Sequence, residues 1–451
     1  MNHHPESPQQ RPLAWLALLG LLLVPLPAPA APSAQDEPLA LESAVQMALA
    51  RNELAGQADA QVKASDALVR QARAYFLPTL TTTGTYTRRP FEVVRAIGNQ
   101  QIAIQKLNAL SGAAQLNMII FDAQSLPALL NARDSSRAQK FASAESKRQL
   151  TFEVGNAFLS TLGTEQLLVA ARHRFEYAKE SLDAAKARYA AGLVSVNDVT
   201  RAELDYATAE MGITQAQGQV ETSYLQLGYL LDASDLIRAR LRSPDGLLRS
   251  AESAPGPADP LIAEARSRRL DLNSLRWQAQ AQRALTLDPI FRWLPSLSFS
   301  GQYRYTNESG LTGRTTNWNV GLTLSWTIFD GFFRNADYQQ QKALFTVADL
   351  AVRAAFRQVE LDVRNALVSL SSQQASLKQA TVALEYAQKN ATEIAQLYRQ
   401  GLSSALQVAD ANVQLYDAEV EFVRQRYGLA IAYLNLEAAL GLDPFGKEPQ
   451  L

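Results

Sequence analysis

Between Phe332 and Gln400 apolar residues recur at alternating steps of three and four: Val363, Ala366, Leu370, Leu377, Ala380, Leu384, Ala387, Ala391, Ile394 and Tyr398, with Gln373 the one polar member. A period of 3.5 marks a coiled-coil seam, whereas a strand repeats every second residue. These 69 residues hold no glycine and no proline, so nothing in them breaks a helix. At about 1.5 Å per residue the rod would be roughly 100 Å long, too long for a compact globule. Long helices lying side by side are therefore expected.

A second pattern, of period 2, occurs in pairs. Leu80, Gly84 and Tyr86 share one parity and Thr81, Thr83, Thr85 and Thr87 the other; Ala114, Leu116, Met118 and Ile120 alternate with Gln115 and Asn117. Later, Phe299, Tyr303 and Tyr305 face away from Ser298, Ser300, Gln302 and Arg304, and Val320, Leu322, Leu324, Trp326 and Ile328 alternate with polar residues. Each pair follows a proline, Pro78 in Phe-Leu-Pro-Thr-Leu and Pro295 in Trp-Leu-Pro-Ser-Leu. Proline lacks a donor and pushes its predecessor out of the helical region, so helix gives way to strand there.

The two patterns together form a duplicated unit. Tyr189 and Tyr398, Gly192 and Gly401, and Asn156 and Asn365 are each 209 residues apart, and Pro78 and Pro295 are 217 apart. The loop between strands is therefore longer in the first copy. The expected organisation is a first repeat over 31–232, with a helix over 39–75, a β-hairpin at 79–121, a loop to about 112 between its strands, a long helix at 126–190 capped by Asp122, and a return helix at 196–231. A linker at 233–259, with Pro255, Gly256 and Pro257, leads to a second repeat over 260–443. That repeat has a helix over 261–287, a hairpin at 296–329 with its last strand at 318–329, a long helix at 332–400 and a return helix at 402–440; 444–451 is a tail.

Residues 1–30 read as a secretory signal peptide. Arg11 precedes an apolar run from Leu13 to Leu26, too short to span a bilayer, and Ala28-Pro29-Ala30 offers the small residues of a cleavage site. The net charge of −1 gives no footprint for nucleic acid, and the absence of cysteine excludes disulfides and thiolate metal sites. Of three histidines only His173 lies in the body of the chain. No Gly-x-Ser-x-Gly, Walker lysine loop or His-Glu-x-x-His occurs, so neither an enzyme nor a cofactor is expected.

Export and strands of about ten residues with aromatics near their ends point to a membrane sheet. One chain supplies four strands, too few to close a barrel. An open sheet in lipid would leave two edges, each with roughly ten unpaired backbone groups costing several kcal/mol apiece. Several copies must then share one barrel, eight strands from two copies or twelve from three; strand physics does not choose.

The Phe76-Leu77-Pro78 and Trp293-Leu294-Pro295 motifs, Phe329-Asp330-Gly331, the Tyr-x-x-Gly-Leu at both helix turns and the duplication itself resemble the TolC-like outer-membrane efflux protein family, over about 38–443. The resemblance implies a mainly α fold with a small membrane sheet. Three copies would form a twelve-stranded outer-membrane barrel continuous with a periplasmic α-barrel. Such a protein is a passive exit duct for a tripartite efflux or type I secretion system. Its implied partners are a periplasmic adaptor docking at the tips around Gly192, Leu193, Gly401 and Leu402, an inner-membrane pump of RND or ABC type, and outer-membrane lipid. The family's pore constriction maps to Gln407 and Asp410, of which only Asp410 is acidic, and its tip closure to Asp198, Tyr398 and a basic position that is Ser403 here. From the residues alone, Asp198 and Arg201, three apart on a helix, are expected to pair. The alternative from another class is a secreted coiled-coil fibre protein with a small sheet.

Overall fold

The computed structural model describes residues 38–97, 100–233, 240–308 and 313–448; the expected signal peptide lies outside them. Its elements are α1 (Leu41–Arg51), α2 (Glu53–Ala74), β1 (Thr79–Arg88), β2 (Val93–Ile97), β3 (Gln100–Gln105), β4 (Asn108–Phe121), α3 (Ser125–Ala190), α4 (Val196–Leu231), α5 (Asp245–Glu252), α6 (Ala258–Arg268), α7 (Leu270–Leu285), α8 (Asp288–Phe291), β5 (Ser296–Thr306), β6 (Thr316–Ser325), α9 (Phe333–Arg399) and α10 (Ala405–Leu440).

Several boundaries differ from the expected ones, for identifiable reasons. The first helix is two helices. Asn52 breaks it with an extended backbone, and its side chain accepts from the Leu54 N–H at 2.9 Å as the N-cap of α2. Arg269 makes the same break between α6 and α7, 217 residues later, so the duplication reaches into these short helices. The linker is partly helical, since α5 lies within it and α6 starts at Ala258 near its end. The loop after β1 folds into an extra hairpin, β2–β3. The last strand ends at Ser325; Trp326 and Ile328 lie beyond it, and the Trp326 indole N–H donates to the Trp293 carbonyl at 3.0 Å. Asp122 is not the cap residue, which is Gln124, but its carboxylate accepts from the Gln124 N–H at 3.1 Å.

The four long strands form one antiparallel sheet in the order β1-β4-β5-β6, so the two repeats meet at β4–β5. Its register puts Leu80 beside Leu116, Met118 beside Phe299, and Tyr303 beside Trp318, which gathers the apolar residues on one face. Within the chain that face is bare: Trp318, Val320, Leu322 and Leu324 are each more than 60 % exposed. Arg89 and Glu308 form an ion pair between the outer ends of the two repeats' hairpins, and the Lys106 N–H donates to Glu308 at 2.8 Å.

Below the sheet, α3 packs against α4 on one side and α10 on the other, and α10 packs against α9. The edges of this layer are therefore α4 and α9. Above α4 and α10, α2 and α7 continue the layer beside α3 and α9. Two apolar clusters hold it together: one around Phe158, Leu159, Leu227 and Leu434, the other around Val359, Val363, Ile262 and Leu429. The close approach of α10 to α3 needs Gly155, where a Cβ would lie 3.0 Å from the Leu434 side chain.

Sheet joins rod through a buried arginine. Gly331 and Phe332 both take positive φ, +66° and +65°, and turn the chain into α9. Arg334, 3 % exposed, reaches back from the first turn of α9. It pairs with Asp330 at 2.7 Å, donates to the carbonyls of Arg292 and Ile328 at 3.0 and 3.3 Å, and stacks 3.8 Å from the centre of the Trp293 ring. The Phe-Asp-Gly motif is thus the socket for this side chain.

Candidate functional site

The two helix turns at the far end of the rod are built alike. Gly192 and Gly401 take φ of +71° and +80°, which only glycine adopts without steric cost. Each turn closes with paired bonds of the Schellman kind: Gly192 N–H to Tyr189 O and Leu193 N–H to Arg188 O, both 2.9 Å, and Gly401 N–H to Tyr398 O and Leu402 N–H to Leu397 O, at 3.0 and 2.9 Å. Leu193 and Leu402 stand 74 % and 72 % exposed at the extreme tips.

Each return helix then starts with a reciprocal capping box. In α4 the Asp198 carboxylate accepts from the Ser195 N–H and hydroxyl, both at 3.1 Å, and it makes no ion pair with Arg201. In α10 the Gln407 side-chain carbonyl accepts from the Ser404 N–H at 2.9 Å and from the Ser403 hydroxyl at 2.8 Å. A glutamine serves this cap as well as a carboxylate does.

Tyr398 ties the two hairpins together. It is 7 % exposed, and its hydroxyl has no partner among the described residues. The guanidinium of Arg188, on the other hairpin, lies 4.0 Å from the ring centre and donates to the Tyr398 carbonyl. Asp198 and Tyr398 share the wall of a cavity of about 20 Å³ with Arg201, Asp205 and Val408, room for about one water molecule. The structure thus brings Asp198 and Tyr398 to one cavity with Arg201, and the cation stacked on Tyr398 is Arg188. Ser403 is occupied within its own capping turn. Arg188 carries no local sequence signal; only its position four residues before the tip glycine marks it. Asp410 is exposed on α10 and has no partner among the described residues.

A second charged site lies at mid-length, where the C-terminal end of α10 meets the start of α7 between α3 and α9. It is an open cleft of about 610 Å³ lined by Glu145, Arg148, Arg269, Asp271 and Asp362. Arg148 pairs with Glu145 at 2.7 Å and donates to the Ala438 and Leu442 carbonyls, both at 3.1 Å, capping α10. Arg269 bridges Asp271 and Asp362, each at 2.7 Å. Burial pushes the Asp271 carboxyl up, but the hydrogen bond and charge of Arg269 outweigh it and hold the group below its ordinary value. In the first repeat the matching contact is made by a neutral group: the Asn52 amide donates to the Leu230 carbonyl at 2.9 Å.

The profile of the outer membrane efflux protein family matches residues 44–232 and 261–442, one segment in each repeat. Outer membrane protein TolC of Escherichia coli K12 is 25 % identical over 388 residues, covering 83 % of this chain and 76 % of TolC. Outer membrane protein OprJ of Pseudomonas aeruginosa is 26 % identical over 421 residues, 89 % of this chain and 84 % of OprJ. The crystal structure of the outer membrane protein VceC from Vibrio cholerae superposes with a TM-score of 0.73 at 17 % identity, over 89 % of this chain and 96 % of that one. These matches do not favour the fibre alternative. The chain belongs to the outer membrane efflux protein family and is an outer-membrane exit duct for an efflux or secretion system.

Proposed function

We propose that three copies of this chain close into one continuous wall, a twelve-stranded barrel in the outer membrane above a helical tunnel, and that cargo passes through it without chemistry. The observation that carries this is unequal burial at matched positions of the two repeats. Leu434 on α10 is fully buried against α3, while Leu225, its counterpart on α4, is 55 % exposed. Likewise Leu159 on α3 is fully buried and Val368 on α9 is 67 % exposed. Val347, Leu361, Val368 and Val382, all exposed, fall on one strict seven-residue repeat along α9. Apolar seams of this length need a cover. Copying the α3–α10 contact onto α9 and the α4 of a neighbour supplies one and closes a ring.

Partners follow from the same reading. The exposed Leu193 and Leu402 tips would receive a periplasmic adaptor coupled to an inner-membrane pump, and the bare apolar face of the sheet would meet lipid. In a ring, Asp410 repeats around the axis at the constriction beside Gln407, and Tyr398 with Asp198 and Arg188 would hold the tip closed. A ring of carboxylates attracts cations. Asp410→Ala should therefore lower cation selectivity and relieve block by multivalent cations in planar bilayers; unchanged values would remove Asp410 from the pore. Mass measurement in detergent tests the assembly directly, and a stable monomer would refute it.

A further inference from the structure

We propose that Arg357 caps the C-terminal end of α4 in the neighbouring protomer, as Arg148 caps α10 within the chain, and that Glu53 and Asp232 beside that end supply its counter-charge. The inference rests on the ring assembly above and adds a specific polar contact to it.

Arg357 lies 209 residues after Arg148, at the same place on α9 that Arg148 holds on α3. Arg148 is 7 % exposed and makes four polar contacts, two of them to carbonyls at the end of α10. Arg357 is exposed and makes no hydrogen bond or ion pair with the described residues. The carbonyls matching Ala438 and Leu442 are those of Tyr229 and Ala233, at the end of α4. Tyr229 lies in the last turn of the edge helix α4 and Ala233 just past its cap, and Tyr229 is 82 % exposed. A helix end carries partial negative charge and carbonyls without helical partners, so an arginine is the expected cap.

The charges are exchanged between the two junctions in the way this pairing requires. Inside the chain the acid that neutralises Arg148 is Glu145, on its own helix. The residue matching Glu145 beside Arg357 is Ala354. The acids appear instead on the receiving side. Glu53 and Asp232 line a groove of about 300 Å³ with Tyr229, where the second repeat has Leu270 and Gly441. Asp232 even takes a left-handed φ of +47°, where the second repeat uses glycine at +79°. Among the described residues, an arginine without an acid on one edge thus matches two acids without an arginine on the other.

The chain has no cysteine, so engineered pairs are clean probes. A Cβ at Gly163 would lie 3.7 Å from the Tyr427 Cβ across the α3–α10 contact, so Gly218→Cys with Ser372→Cys, the matched positions, reports the ring. Oxidation of the full-length protein in outer membrane should give covalent trimers from this control pair. Against that background, Arg357→Glu should speed trimer dissociation in mild detergent about tenfold, and adding Glu53→Arg should recover part of the loss. Control cross-links with an unchanged dissociation rate in Arg357→Glu, or with no recovery in the double variant, overturn the cap and leave the ring standing. Absence of the control cross-link overturns the ring, and the cap with it.

Discussion

The two repeats make the same end-to-end helix junction with different chemistry. In the first, α4 meets α2 through Asn52, a neutral side chain that caps one helix with its oxygen and the other with its nitrogen. In the second, α10 meets α7 through Arg269 and Arg148, which recruit Asp271, Asp362 and Glu145. The second junction is an open cleft between α3 and α9 whose carboxylates stay partly wet, and Arg269 draws its charge partners from α7 and α9. At the first, Asn52 is itself buried, 6 % exposed, and as a neutral group needs no counter-charge. Duplication thus preserved the geometry while the side chains at the joint diverged.

The largest test of this contrast compares matched apolar positions. Leu159→Ala should cost about 2–5 kcal/mol in thermal unfolding of the chain once the detergent-solubilised trimer has dissociated, because the site is closed on all sides. Val368→Ala should change that stability by less than about 0.5 kcal/mol and act only on assembly. Equal costs would mean that the repeats are not differentiated into an inner and an outer contact.

Next come the junction residues themselves. Arg269→Ala leaves two carboxylates facing each other and should cost about 2 kcal/mol, discounted because Asp271 and Asp362 remain partly wet. Asn52→Ala removes a cap and one long-range bond and should cost about 1 kcal/mol. Reversed sizes in denaturant titrations would contradict the view that charge is committed more heavily in the second repeat.

The smallest effect concerns Glu437, which stands where the first repeat has Gly228. It is 7 % exposed, one carboxylate oxygen has no partner among the described residues, and burial pushes its carboxyl above the ordinary 4.5. Its neighbour Tyr433 is pushed up to about 12 by burial and by its hydrogen bond to Glu437. A raised carboxyl favours the folded state at low pH, and that contribution fades as pH rises through the folded value. Glu437→Gln should therefore stabilise the protein at pH 7 by about 1 kcal/mol, with the gain shrinking to nothing as pH falls below about 4.5. A gain that persists in acid would separate the effect from ionisation.

The sequence made the rods and long strands legible because burial on one face imposes a period, 3.5 through Val363 to Tyr398 and 2 through Ala114 to Ile120. Breaks made by hydrogen bonds leave no such trace. Asn52 interrupts a continuous helical pattern without glycine or proline, and only its place before Glu53 hints at a cap. The β2–β3 hairpin was hidden in a loop although Val93, Val94 and Ile97 are β-branched. At the tips, the family resemblance, counted from the glycines, singles out Asp198, Tyr398 and Gln407. It could not locate Arg188, whose role depends on how the two hairpins lie against each other.

Arg334 fixes more than a turn. Because its guanidinium is bonded to both sides of the elbow between sheet and rod, that elbow has no slack to act as a hinge. Any leverage exerted on the distant turns must be taken up by sliding among the rods, or it arrives undiminished at the strands.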